Sequence, residues 1–506
     1  MDKTIIIEFR SEEMSIPKVA EVVGNYLKRA NYNVAYLPYF EKIQEYLSWY
    51  RGKTEWHEYR RWNGYKHIKR TKKSLDMAKT CCEDMASLIG VEKLEFTFDD
   101  KEAETFVNGV LEDNKFKVNA SQLIELMEAL GSCAFVASKQ GEKVVIDYIH
   151  GDLVFPLKWD NGEITECAFA IVGGDNEKTD YQVITHTLDE SGNYVVEKVN
   201  LTANGAVAKP GEIASELKNA DEEEIERWET GSSIPRFRFC RTNIVNNYDK
   251  TSPLGMSMFG NAIDILKGLD ETYDSLCNEF DLGKKRIFIK SNLKAIRFES
   301  TGDYKNSYYS QVDENDVTFY QIDWAGEHED KPPIYESNMT LRVAEHQQGL
   351  DTLCKLFSRK IGLGDGFYSF TGDSVGRTAT EIISINSSLF RNLKKQELTI
   401  KDAFIGLCRT IMDIANLEMG KAFDIEQNIT IDFDDSIIED TGKTKEQAMA
   451  EYNAGLIDSV EYFAITRKMT REQAQKFVAE MMATDTMKQV DSIMNGMGGF
   501  DMGGGI

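Results

Sequence analysis

The sequence is poor in the patterns that mark an enzyme. Its eight cysteines (81, 82, 133, 167, 240, 277, 354 and 408) include no CxxC and keep no regular spacing. That excludes the common zinc frameworks and reads as reduced, mostly buried thiols in an intracellular compartment. The six histidines form no HExxH or other close pair, so a mononuclear metal hydrolase has no ligand set. GxSxG is missing. A phosphate-cradling loop is missing too: GDSVGRT at 372–378 has three residues between its glycines and Arg377 in place of lysine, while Gly52-Lys53-Thr54 and Gly442-Lys443-Thr444 have Leu47 and Ile437 where the upstream glycine belongs. No apolar run reaches the ~18 residues of a bilayer span, and the start, MDKTIIIEFRSEEMS, lacks the basic and apolar regions of a secretion signal. Only 8 residues in 506 are proline, with 42% hydrophobic and 28% charged. A disordered or collagenous chain is excluded, and two to four structural units are expected.

Positive charge is also scarce. Lys and Arg number 59 against 84 Asp and Glu, a net charge of −25, so the molecule as a whole repels nucleic acid and anionic membrane. A DNA-coating role is excluded. One segment runs against the trend: Trp49–Lys73 holds nine Lys/Arg against two Glu with six interleaved Trp/Tyr, which leaves −32 on the remainder. Two readings stand. Aromatics with cations suit single-strand stacking or a nucleic-acid backbone; they equally suit a face, centred on Trp56, Arg60, Arg61 and Trp62, that docks onto an acidic neighbour such as an adjacent copy.

Apolar spacing predicts helices from Met14 to about Tyr50 and from Ser74 to Leu88. Between Cys133 and Val199 the texture changes to short β-favouring runs separated by Gln140-Gly141, Asp160-Asn161-Gly162 and Ser191-Gly192-Asn193, which predicts a small antiparallel sheet. Residues 203–235, acidic and punctuated by Gly and Pro, read as a surface excursion.

The most regular stretch follows. Phe259, Ala262, Leu266, Leu269, Tyr273, Leu276 and Phe280 keep 3-4 spacing over three heptads, with Asp264, Lys267, Asp270, Glu271 and Asp274 as the polar positions between them. Ser252-Pro253 reads as its N-cap and first turn. A second stripe runs through Val343, Gln347, Leu350, Cys354, Phe357 and Ile361, and strand-like runs (RIFIK, AIRF, VTFYQI) lie between the two. Two long amphipathic rods around a β insertion suit side-by-side packing in a ring, where Phe259, Leu266, Leu269, Tyr273, Leu276 and Phe280 are candidate subunit contacts. The alternative is a buried hairpin in a monomer. Five glycines between Gly362 and Gly376 predict a flexible loop, and Thr378 to Glu381 a capping box opening a helix of close to forty residues. The strand NITIDFDDS and three short helices, opened at Thr444, Asp458 and Thr470, come next, and a Gly/Met tail ends the chain.

The best catalytic candidate is Asp432 with Asp434, two carboxylates on one face of a strand, where Mg²⁺ could bind in a nuclease. The bland reading is a solvated strand end. No residue is assigned as catalytic, metal-binding or cofactor-binding, and no cofactor is expected.

The order of these parts, with the local texture of NNYDKTSPLGMSMFGNAIDILKGLDETYDSLCNEF, GLGDGFYSFTGDSVGRTATEIISINSSLFRNLKKQ, KKSLDMAKTCCEDMASLI and ITIDFDDSIIED, resembles the portal proteins of long-tailed bacteriophages over nearly the whole chain. The resemblance implies an α+β fold, predominantly helical, with wing, two stem helices, β-containing clip and helical crown. By position, 1–250 would be the N-terminal wing part with its small sheet at 133–200, 251–284 and 337–361 the stem helices, and 285–336 the clip. Residues 362–377 would be the tunnel loop, 378–440 the long helix and strand returning to the wing, 441–485 the crown and 486–506 a disordered tail. It also implies a ring, commonly of twelve copies, at one capsid vertex of the virion, made in the bacterial host cytoplasm. Implied partners are double-stranded DNA passing through the channel, terminase, head-completion or adaptor proteins, and major capsid and scaffolding proteins, with no membrane. Channel candidates are Arg377, Asp373, Ser374, Lys284, Lys285 and Lys290. The family's portal is not itself the motor, in keeping with the missing nucleotide signature; another head-to-tail component is the structural alternative.

Overall fold

A computed structural model describes residues 16–62, 66–173, 180–201, 226–283, 286–290, 297–299, 307–309, 319–322, 334–337, 340–369, 379–433, 441–467 and, after these, 469, 471, 474, 475, 477–479 and 481. The chain divides into two units, Met1–Phe433 and Asp434–Ile506.

The first unit opens with α1 (Ile16–Arg29) and α2 (Tyr39–Tyr50), then a hairpin of β1 (Glu58–Trp62) and β2 (His67–Thr71). Next come α3 (Met77–Ile89), β3 (Glu95–Phe98), α4 (Lys101–Asp113) and α5 (Phe116–Leu130). Asp100 caps α4, its Oδ1 accepting the amide of Glu102 at 2.9 Å, a bond of the kind that stabilises a helix start by about 1 kcal/mol.

Where the sequence predicts one small sheet, the structure has two. β4 (Ser132–Gln140) pairs on either side with β5 (Lys143–His150) and β11 (Phe237–Arg241). The second sheet is a meander of β6 (Val154–Asp160), β7 (Glu163–Gly173), β8 (Asp180–Leu188), β9 (Tyr194–Leu201) and β10 (Glu226–Glu229), antiparallel throughout. β10 falls in the stretch read as a surface excursion. Asn161 and Gly162 both take positive φ, 49° and 85°, which is the type I′ geometry that matches strand twist in a two-residue hairpin. Pro156 sits on the edge strand β6 beside a register shift, where its missing N–H breaks no interior ladder.

β4 is buried on both faces because its alternate residues enter different cores. Ala134 and Val136 join Val154, Ile164, Phe169, Tyr194 and Phe237 between the sheets. Phe135 points the other way, its ring 6.1 Å from Phe116 of α5 and 5.6 Å from Phe404. Phe404 belongs to α8 (Ala379–Glu418), a 40-residue helix about 60 Å long at 1.5 Å per residue. α8 leads to β17 (Ile429–Asp432), which pairs antiparallel with β3 and so returns the chain to its N-terminal part.

Between β11 and α8 lie α6 (Ile263–Leu282), β12 (Arg286–Lys290), β13 (Arg297–Glu299), β14 (Ser307–Tyr309), β15 (Phe319–Ile322), β16 (Ile334–Ser337) and α7 (Val343–Ile361). β12 is central to a three-stranded sheet, parallel to β15 and antiparallel to β16, while β13 and β14 form a separate hairpin. The start of α6 differs from the sequence reading by ten residues. Ser252 does not cap it; its hydroxyl accepts the amide of Leu254 two residues on, at 3.2 Å, a local turn that uses the same chemistry as a cap. The SPLG stretch is instead a fixed loop. A Cβ on Gly131 would lie 2.5 Å from the carbonyl carbon of Gly255, and one on Gly255 2.0 Å from the oxygen of Gly131, so only glycine at both positions lets the two backbones meet.

The second unit holds α9 (Thr441–Asn453) and α10 (Ser459–Arg467). α9 starts before Thr444, which is therefore inside the helix. Asp458 does cap α10, accepting the amide of Glu461 at 2.7 Å. The region of the third predicted helix, around Thr470, and the tail after Met481 lie largely outside the described residues. All eight cysteines are free and seven are buried, Cys277 being half-buried. Among the described residues no helix is long and apolar enough to cross a membrane.

Candidate functional site

α6 and α7 pack along each other, and the sequence explains how closely. Gly268 of α6 faces Leu353, an added Cβ lying 3.5 Å away, and Gly349 of α7 faces Thr272 at 3.6 Å. Each rod therefore offers a small position opposite a side chain of the other. At the far end Arg342 grips Glu279 with two guanidinium nitrogens, Nε at 3.1 Å and Nη2 at 2.9 Å, and its backbone amide adds a third bond at 3.3 Å. These donors, more than the nearby His346, hold the Glu279 carboxyl down at about 2.

The apolar stripe of α6 splits in two along its length. Phe259, Leu266 and Leu269 are buried inside their own chain, which corrects their reading as subunit contacts: side chains already packed cannot reach a neighbour. Tyr273 and Leu276 are half-buried and Phe280 is 49% exposed; Leu341 and Val343 at the start of α7 are exposed as well. On α7 Leu350, Cys354, Phe357 and Ile361 are buried, whereas Val343 and Gln347 of the same stripe are exposed.

The basic segment docks on the acidic side of α6. Asp270, 3% exposed, accepts Nε2 of His57 at 2.8 Å, the Ser74 hydroxyl at 3.1 Å and the Leu75 amide at 2.8 Å. The Thr54 amide donates to His57 Nδ1 at 3.3 Å, which makes that nitrogen the acceptor and leaves Nε2–H to face Asp270. Lys72 bridges to Glu271 while lying 3.8 Å from the centre of the Trp56 ring, and the Lys73 amide donates to Asp274 at 3.1 Å. Trp56 thus serves a contact within the chain. Residues 54–57 and 72–75 form a clamp across the middle of α6, and the hairpin between them, with Arg60, Arg61 and Trp62, is left exposed.

Sequence reading missed this clamp, since Asp270 and His57 are 213 residues apart. The available signal was charge: a +7 segment and a helix carrying Asp264, Asp270, Glu271 and Asp274 on polar positions.

α7 is anchored from its C-terminal side. The first described part of the Gly-rich segment folds back rather than swinging free: the Tyr368 amide donates to Ser358 at 3.1 Å, the Ser369 hydroxyl to Asp351 at 2.9 Å, and the Tyr368 hydroxyl to Asp84 of α3. Arg359 adds a two-pronged bond to Asp365 at 2.7 and 2.6 Å. Of the channel candidates, Arg377, Asp373, Ser374, Lys284 and Lys285 lie outside the described residues. Lys290 ends β12 opposite Ile322. Asp432 is exposed at the end of β17 directly across from Glu95, Asp434 lies outside the described residues, and no group of three metal-ligating side chains occurs among the described ones.

Two buried groups stand out electrostatically. Glu128 of α5 is fully buried, neither carboxylate oxygen has a hydrogen-bond partner among the described residues, and burial pushes its pKa up to about 8. His186 sits between the rings of Phe169 and Phe237, both at 5.5 Å, with neither ring nitrogen paired among the described residues. Burial, reinforced by Arg236, drops its pKa to about 3.

No curated protein matches this sequence. A family model does, over residues 35–485, which takes in the clamp, the paired helices with their β insertion, the long helix and the second unit as far as residue 485. The chain therefore belongs to the family described as phage portal protein, SPP1 Gp6-like.

Proposed function

We propose that copies of this chain close into a ring at one capsid vertex of the virion, forming the channel through which double-stranded DNA is packaged and ejected and the docking site for terminase and head-completion proteins. The observation that carries the reading is the family match across 35–485. In this reading α6 and α7 are the stem, the strands from β12 to β16 the clip, and the second unit the crown. The channel wall is acidic. A ring of twelve, the number common in the family, would carry about −300, and a wall with few phosphate contacts leaves little to break at each step of the duplex. Arg377, Lys284, Lys285 and Lys290 would place sparse positive rings on that wall.

The role is structural: the chain shapes and lines a passage, and the motor that drives DNA belongs to another protein. Heads assembled without the chain are expected to close but stay empty in a packaging reaction supplied with terminase, and heads that fill equally well without it would overturn the proposal. Neutralising the four cations together is expected to lower the DNA retained per head while head number stays constant. Unchanged retention would remove them from the channel.

A further inference from the structure

We propose that the β1–β2 hairpin is a strap that binds the acidic surface of a neighbouring copy, with its root clamped to α6 of its own chain. The proposal rests on the ring reading above and names one of its contacts. Eight of the ten strand residues are exposed, Tyr59 and Ile68 being the exceptions. A two-stranded hairpin with both faces in water is marginal on its own. This one is also charged against itself. Register places Arg60 directly opposite Lys69, with Arg70 opposite Tyr59 and Arg61 opposite Ile68, and like charges across a ladder destabilise it. Glu58 is the hairpin's single carboxylate, and it pairs with Lys69 at 2.6 Å.

What removes that cost is an anionic surface, and an aromatic to bury accompanies the charge: Trp62 is 56% exposed, its ring tilted against that of His67 at 5.1 Å. Arg and Trp are the side chains that dominate protein interfaces. The clamp decides what the hairpin can reach. The acids of α6 nearest to it, Asp270, Glu271 and Asp274, are taken by His57, Ser74, Leu75, Lys72 and Lys73 of its own root. With the hairpin's own charge set aside the rest of the chain is more acidic than −25. Every further copy therefore presents the counter-surface. A duplex is a weaker fit, because the same net charge repels it from the body that carries the hairpin.

The test uses the full chain with four substitutions, Arg60→Glu, Arg61→Glu, Lys69→Glu and Arg70→Glu, none of which touches the clamp. Wild-type chain is expected to assemble, and raised salt to loosen it. The variant is expected to show an unchanged circular dichroism spectrum and at least a tenfold loss of assembled material by sedimentation. Variant rings as abundant as wild type overturn the strap, whereas wild-type chain that never assembles overturns the ring reading instead. A variant that assembles normally but loses affinity for a 30-base-pair duplex also overturns it, by assigning the hairpin to DNA. A second measurement needs no variant: carbodiimide coupling of mixed heavy-isotope and light copies is expected to join Lys69 to Asp- or Glu-containing peptides of the other isotope. Same-isotope links alone contradict the proposal.

Discussion

Replacing Asp270 with alanine is expected to destabilise the first unit by about 2–4 kcal/mol, since a buried donor left without its acceptor costs about 1–3 kcal/mol. Three donors lose their acceptor at once: the His57 ring, the Ser74 hydroxyl and the Leu75 amide. The His57 ring is buried and carries the larger desolvation cost, while half-buried Ser74 and Leu75 recover part of their loss from solvent. The loss is local as well as global. With these bonds gone, the polar contacts that still tie the 54–75 segment to α6 among the described residues are those of Lys72 and Lys73, and trypsin is expected to cut at Arg60 through Lys73 in the native variant well before it cuts wild type. Asp270→Asn keeps one acceptor oxygen and should fall between the two. Equal protease sensitivity in wild type and Asp270→Ala would show that the clamp does not hold the segment.

Glu128→Gln is expected to stabilise the protein, and by an amount that depends on pH. The carboxyl keeps its proton in the folded chain up to about pH 8, while in the unfolded chain it releases it near 4.5. The unfolded state therefore binds fewer protons between those values, and folding stability falls as pH rises through that window. The full effect above pH 8 is on the order of 5 kcal/mol. Glutamine is neutral at every pH and nearly the same shape. The two proteins should melt at similar temperatures near pH 4.5 and diverge steadily to pH 8.5, with the variant higher. Melting curves that stay parallel across this range would contradict the assignment. His186 acts in the opposite direction: its contribution is present above pH 6.5 and is lost as pH falls toward 3. The acid side of the profile should therefore persist in Glu128→Gln.

Helical periodicity located α6, α7 and α8 because each is long and carries a regular apolar stripe, which no short-range turn chemistry can imitate. It misplaced the start of α6 because Ser252 makes a turn bond that a cap would also make. The two sheets were read as one since alternation reports that a strand is half-buried and says nothing about which strand pairs with which. Asp270 is the most instructive case. Its place between the stripe residues of α6 marks it as a solvent-facing polar position, yet it is buried under a segment that the chain delivers from more than 190 residues away. Composition registered the charge of that segment; only the fold shows that its ends face inward and its middle outward. The burial of Leu266 and Leu269 follows the same logic, because an amphipathic stripe satisfied by α7 looks the same in sequence as one satisfied by another copy.

Native mass measurement of the purified full chain, with its capsid companions added in turn, bears most directly on whether copies close around a passage. A closed assembly of many subunits is expected, about 690 kDa if there are twelve of 57.5 kDa each, with a central hole in end-on images. A chain that stays at one or two copies under every condition would contradict it.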